Sequence, residues 1–425
     1  MPASRQPAVE VTASDRDVIR ALAGEMAEIA ALPVHAEKAE MWRKCNDLEP
    51  VRPMVWITEV PWHEMGSDDE LTLHCQSDWA RRIEQGMRRD LYAWRHMRVD
   101  QVFSDYFPSP LAIRDTGFGI GTNEDIIRSD QAGGIASHHY KAQIVEPADV
   151  EKIRPPEVTH DEAASEREYA ARRELLDGIL PVRKVGVKGT WCAPWDQLVT
   201  WWEPERALMD LVMRPDMVEE AISRLVDAWV ARLDQWEQLN LLTPNLDNHR
   251  IGSGAYGYTS ELPRPDADPD RPRAADMWGA ATAQIFSAVS PEMHWKFALK
   301  HEKRWLDRWG LTYYGCCEPL DVKMDILRRI PNLRKVSMSP WVDPARGAAA
   351  LGGEYVYSCK PSPAILAEDR WRPDLARKQL REVLKATRGL PVEIIMKDIS
   401  TVRYDPKRLW EWSRVAMELA EEFAP

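Results

Sequence analysis

Short apolar runs rich in β-branched residues recur along this chain, and between them lie longer stretches with helical spacing. This alternation constrains the fold more than any single motif, because it is the signature of βα units whose strands lie parallel in one sheet. Candidate strands fall at residues 54–58, 101–106, 184–188, 241–246, 283–287, 311–315, 335–338, 355–359 and 392–396. Helical patterns fill the intervals. Val218, Ile222, Leu225, Trp229 and Leu233 share one face, and Ser290-Pro291-Glu292 supplies a capping hydroxyl, a first-turn proline and an early acid. Residues 318–329 read as a helix directly after a cysteine pair, and 406–423 as the last helix. The expected architecture is one α/β domain over residues 1–425, a (β/α)8 TIM barrel with an N-terminal helical extension at 1–50. Loop insertions at the barrel mouth are expected at 107–156 and at the proline-rich stretch 262–273.

Composition narrows the function. The chain has 425 residues, of which 44% are hydrophobic and 29% charged, enough to bury a sizeable core. The net charge of −12 and the lack of a Lys/Arg run argue against a nucleic-acid partner. No apolar run approaches the roughly 20 residues of a membrane span, and the first residues are polar, so no membrane association and a cytoplasmic location are expected. Six cysteines are too few for a disulfide framework at this length and read as buried thiols, ligands or nucleophiles. Tryptophan stands out, with 19 copies against 6 phenylalanines. Most of that excess reads as packing, and part as walls for a flat or methylated ligand.

Barrel chemistry sits at the C-terminal ends of strands, which turns polar strand-end residues into candidates. Tyr313-Tyr314-Gly315-Cys316-Cys317-Glu318 is the strongest, because a strand runs into two thiols and a carboxylate, all suited to zinc. A following helix N-terminus would favour thiolate, while strand alternation lets only one of Cys316 and Cys317 face the pocket. Cys359 ends a later strand and can supply a second thiol. His249, after the 241–246 strand, is a nitrogen ligand or a general acid–base, and the glycines that follow it fit neither GxGxxG nor a P-loop. Glu59 follows the first strand, Gln284 is polar within an apolar run, and His138-His139 lie in the 107–156 excursion.

Several segments carry a family likeness. Gly189-Thr190-Trp191-Cys192-Ala193-Pro194-Trp195, Ala283-Gln284-Ile285-Phe286-Ser287, Ser290-Pro291-Glu292 and the Gly-Cys-Cys strand end together resemble uroporphyrinogen decarboxylase-like proteins, over roughly residue 184 to the end. The likeness is nearest the zinc-dependent methyltransferases that work with corrinoid (cobalamin) proteins. That resemblance implies a His-x-Cys strand end and a later Cys as zinc ligands. Tyr314-Gly315-Cys316 stands at the first position with Tyr314 in place of histidine, and Cys359 stands near the second. The implied ligand set is Cys359, Cys316 or Cys317, and Glu318 or His249. The implied activity is methyl transfer between a small methoxy or methylamine substrate and a corrinoid partner protein, with Trp191, Trp195 and Trp341 as cofactor walls. A homodimer is left open. Two rivals use the same barrel: a metal-free decarboxylase or lyase acting through Glu59, His249 and Tyr314, and a non-catalytic barrel that carries a tetrapyrrole. Glu59 and Glu64 at the mouth speak against a polyacidic porphyrin.

Overall fold

The computed structural model describes residues 9–66, 68–128 and 136–425. Its centre is a seven-stranded, all-parallel sheet. The strands are β1 (Met54–Ile57), β2 (Trp191–Cys192), β3 (Trp278–Ala281), β4 (Leu311–Tyr314), β5 (Leu333–Met338), β6 (Val356–Cys359) and β7 (Val392–Met396). They are ordered β1-β7-β6-β5-β4-β3-β2. Helices such as Pro215–Gln238, Pro373–Ala386 and Lys407–Glu422 stand between or after these strands. The arrangement is compatible with a barrel-like fold, but among the described residues the ladder does not close, which corrects the expectation of eight continuous strands.

The break lies between β1 and β2. There, Phe107–Pro110 pairs only with Val182–Val185, and residues 241–246 contribute a single bridge, Val187 to Leu242, in place of the expected strand. Side chains bind this region to the sheet. Asp100 donates its backbone N–H to Val55 O at 2.9 Å and its carboxylate accepts from Val55 N at 2.8 Å. The Asn245 amide donates to Lys188 O and Trp278 O at 3.1 and 2.9 Å, standing in for ladder bonds.

Strand alternation sorts the side chains into two layers. Tyr313, Lys335, Ser337, Ser358 and Glu393 point into the concave side. Tyr314, Val336, Met338, Tyr357, Cys359 and Ile394 pack outward in the main hydrophobic core. The inner layer is polar but satisfied. Lys335 and Glu393 form a fully buried ion pair at 3.0 Å, and Ser358 Oγ donates to Glu393 at 2.5 Å. Residues 251–258 plug this layer, and Gly254 is required because a Cβ there would stand 2.4 Å from Glu393 Oε1. The glycines read in the sequence therefore serve close packing.

Outside the sheet, Ala13–Ala30 and Val34–Asn46 form the N-terminal helices. Much of the tryptophan excess is packing, since Trp42, Trp195, Trp201, Trp202, Trp278, Trp305, Trp309 and Trp412 are fully buried. The 107–156 region carries an exposed hairpin, Glu124–Arg128 with Ala136–Tyr140, where His138 meets Glu124 at 2.7 Å; part of that expected excursion lies outside the described residues. The expected strand at 283–287 is a short 3-10 turn, and the true strand is β3, where a small-residue run lets Trp309 press against Gly279. Among the described residues, no helix is long and apolar enough to cross a membrane.

Candidate functional site

The two cysteines at the end of β4 sit side by side. The strand stops at Tyr314, and Gly315 then takes φ +98°, a conformation that L side chains rarely adopt. The turn overrides strand alternation, so the two sulfurs lie 3.6 Å apart instead of on opposite faces. The expected helix over 318–329 shrinks to Met324–Leu327, leaving no helix N-terminus beside the thiols. The positive charge comes instead from Lys397, just past β7, whose Nζ donates to Cys316 Sγ at 3.3 Å and pairs with Asp398 at 2.9 Å. A hydrogen bond from Cys317 and the Lys397 ammonium draw the Cys316 thiol down to about 7 against its burial, whereas Cys317, as the donor, is raised.

Glu59 belongs to the same rim. Its carboxylate accepts from Arg250 at 2.7 Å and from the Asp398 amide at 2.9 Å. Burial alone would raise it, but Arg250 and the amide hold it down at about 2. It is a fixed anion and orients Asp398 and its neighbour Lys397. On the other side, Glu318 is fully buried and accepts from Thr282 Oγ1 at 3.0 Å, Ala283 N at 3.3 Å and Cys316 N at 2.8 Å. Next to it, Gln284 donates to Asp196 at 2.6 Å. Burial, with repulsion from Glu318, pushes Asp196 up to about 6 despite that bond, so it exchanges a proton near neutral pH. Below the thiols, Lys360 reaches Tyr313 Oη and Ser358 Oγ, both at 2.5 Å, and burial pulls its ammonium down to about 7.

Other expected members stand elsewhere. Cys359 is still within β6, so alternation sends it into the outer core, where burial pushes its thiol up to about 12. Tyr314 also points outward; its hydroxyl donates to Glu302 and meets His294, each at 2.8 Å. Trp195 is fully buried and donates to Phe297 O at 2.8 Å. Trp191 is half-buried on β2, and Trp341 is 76% exposed after β5. His249 lies in the wall of the cavity described below, where burial and the nearby Lys188 lower it to about 4, leaving it neutral.

The residues present do not fit the zinc set implied by the resemblance. Cys359 faces away, the Glu318 oxygens are committed to three donors, and His249 stands in a different wall. Among the described residues, no three His, Cys, Asp or Glu side chains group to hold a metal ion.

A cavity of about 1320 Å³ opens where the sheet is broken. It runs from the inward face of the helix Asp78–His96 to Glu59, Lys188, Gly189 and His249 at the strand ends. The thiol pair is not in its wall. Glu59 links the two regions, because it lines the cavity and bonds Asp398, next to the lysine that holds Cys316.

Sequence reasoning missed Lys397, Asp196 and Lys360. Lys397 and Lys360 each directly follow a strand and pass the strand-end filter. Asp196 lies in the first turn of Pro194–Trp202, after a two-residue strand too short to be seen.

No family model and no curated protein sequence matches this chain. Among solved structures it is similar to a methyltransferase from Methanosarcina mazei, at 12% identity and a TM-score of 0.48, covering 91% of this chain and 99% of that one. That likeness is too distant to assign chemistry.

Proposed function

We propose that this protein is a methyltransferase that moves a methyl group between a small methylated substrate and a corrinoid carried by a partner protein. The observation that carries the reading is the contact of a thiolate and an ammonium, Cys316 and Lys397, with Glu318 bonded to Cys316 N and acting on Asp196, a carboxyl raised to about 6. Methyl transfer is an in-line displacement. The acceptor's electron pair forms the new bond to the methyl carbon, and the heteroatom that leaves keeps the old pair. A leaving alkoxide needs positive charge or a proton. Lys397 supplies the first and Asp196 the second. Cys316 holds Lys397 at the rim, and Glu59 with Arg250 holds its neighbour Asp398. A corrinoid supplies the methyl-accepting metal centre from the partner. Trp341, 76% exposed after β5, is apolar surface open to that partner. No step runs through zinc. The metal-free lyase reading is weakened because Tyr314 is in the outer layer.

The test is methyl transfer to free reduced corrinoid, followed by its absorbance change, across methoxy, methylamine and quaternary ammonium donors. Transfer with at least one donor class is expected, falling about 10²-fold or more in Lys397→Met and, for alkoxide-leaving donors, in Asp196→Asn. No transfer from any class would overturn the reading.

A further inference from the structure

Of the six cysteines, Cys45, Cys75, Cys192 and Cys359 stand apart from one another and are buried, and burial pushes each of those thiols up. Cys316 and Cys317 are the exception, with sulfurs 3.6 Å apart. A disulfide spans about 2.05 Å, so a sulfur has roughly 1.5 Å to travel for the pair to close.

The two residues are held unequally. Cys316 is buried, and its backbone is fixed on both sides: its N–H donates to Glu318 at 2.8 Å and its carbonyl accepts from Ser337 Oγ at 2.8 Å. Lys397 holds its sulfur at 3.3 Å. Cys317 is half-buried, and its backbone makes no hydrogen bond among the described residues. It stands past the end of β4 and before the short helix Met324–Leu327, so neither ladder nor helix ties it down. One sulfur is anchored and the other is free to reach it. Their chemistry is equally divided. The Lys397 ammonium favours a thiolate on Cys316, the nucleophile toward an oxidant, while Cys317 is a thiol already in contact and placed to resolve the product.

We propose that Cys316 and Cys317 form a redox-modification site, which a hydroperoxide closes into a disulfide between adjacent residues. With hydrogen peroxide, the Cys316 sulfur attacks one oxygen, the O–O bond breaks, and hydroxide leaves with the electron pair. The Cys317 sulfur then attacks the sulfenic acid on Cys316. The S–S bond forms, the S–O bond breaks, and the departing hydroxide takes the Cys317 proton to become water. Each sulfur gives up one electron, and the peroxide is reduced to water and hydroxide. Neighbouring residues have Cα atoms only about 3.8 Å apart, below the roughly 4.4–6.8 Å of ordinary disulfides. Such a bond is strained and readily reduced, which suits a reversible switch rather than a structural staple. Closing it removes the thiolate that holds Lys397, so methyl transfer falls on oxidation and returns with a dithiol reductant. That consequence alone rests on the proposed function.

The test exposes the reduced, full-length protein to hydrogen peroxide, quenches in acid, alkylates the remaining thiols in denaturant and maps the peptides without reductant. The peptide carrying Cys316 and Cys317 should be unalkylated and lighter by two hydrogens, with the other four cysteines alkylated. Dithiothreitol should return both thiols. Lys397→Met should slow closure about tenfold near pH 7. Cys317→Ser should stop at a sulfenic acid on Cys316 that dimedone traps. Both thiols still alkylated after excess peroxide would overturn the inference. So would Cys316 driven to sulfinic acid with Cys317 free, or a disulfide between two chains in place of the adjacent pair. Closure of the pair in a protein that transfers no methyl group from any donor would leave the inference standing and sink the function. Methyl transfer by a protein whose pair never closes would do the reverse.

Discussion

Two late strands end in cysteine, and the two ends behave differently. At the end of β6, Cys359 is still part of the ladder, paired in register with Met338, and the pleat turns it into the outer core. At the end of β4 the ladder stops before the cysteines, and Gly315 at φ +98° turns the chain so that Cys316 meets Lys397. One thiol is pushed up to about 12 and the other drawn down to about 7. A residue's distance from the last paired position, and the turn between, decide whether it packs or reacts. Being a cysteine near a strand end decides neither.

The largest effect should come from removing that turn. In Gly315→Val the new Cβ meets Leu320 Cδ1 at 2.4 Å and Ser337 Cβ at 3.1 Å, on a backbone that a β-branched residue resists. Strain and overpacking together should cost about 2–6 kcal/mol, read as a lower denaturation midpoint, and thiol reactivity near neutral pH should vanish with it. A protein that kept wild-type stability would break the comparison. At the other strand end, Cys359→Ala should cost only about 1 kcal/mol, through a small void in the outer core. It should leave thiol labelling and any methyl transfer unchanged. Loss of labelling there would mean that Cys359 takes part in the site after all.

How much of this was legible depends on what each residue is told by its neighbours. The 392–396 strand was read to the residue, because VEIIM is β-branched or apolar apart from Glu393 and is bounded by turn residues. The run 283–287 misled, since Ile285 and Phe286 look more strand-like than the Gly279-Ala280-Ala281 that Trp309 actually covers. The site residues on β4 were found because thiols are conspicuous. Their geometry was not, because alternation holds only while the ladder lasts, and the crowding of Gly315 by Leu320 and Ser337 is a tertiary contact.

The most direct test of the central claim, that Cys316 is a Lys397-stabilised thiolate at the rim, is the pH profile of alkylation, with the modified residue located by peptide mapping. Cys316 should be modified first, with a rate that rises through about pH 7 and then levels off. Lys397→Met should move that rise up by about a unit or more, which lowers the rate at pH 7 by roughly tenfold. First modification at Cys359, or a Cys316 profile that rises only above pH 8.5 and ignores Lys397, would contradict it.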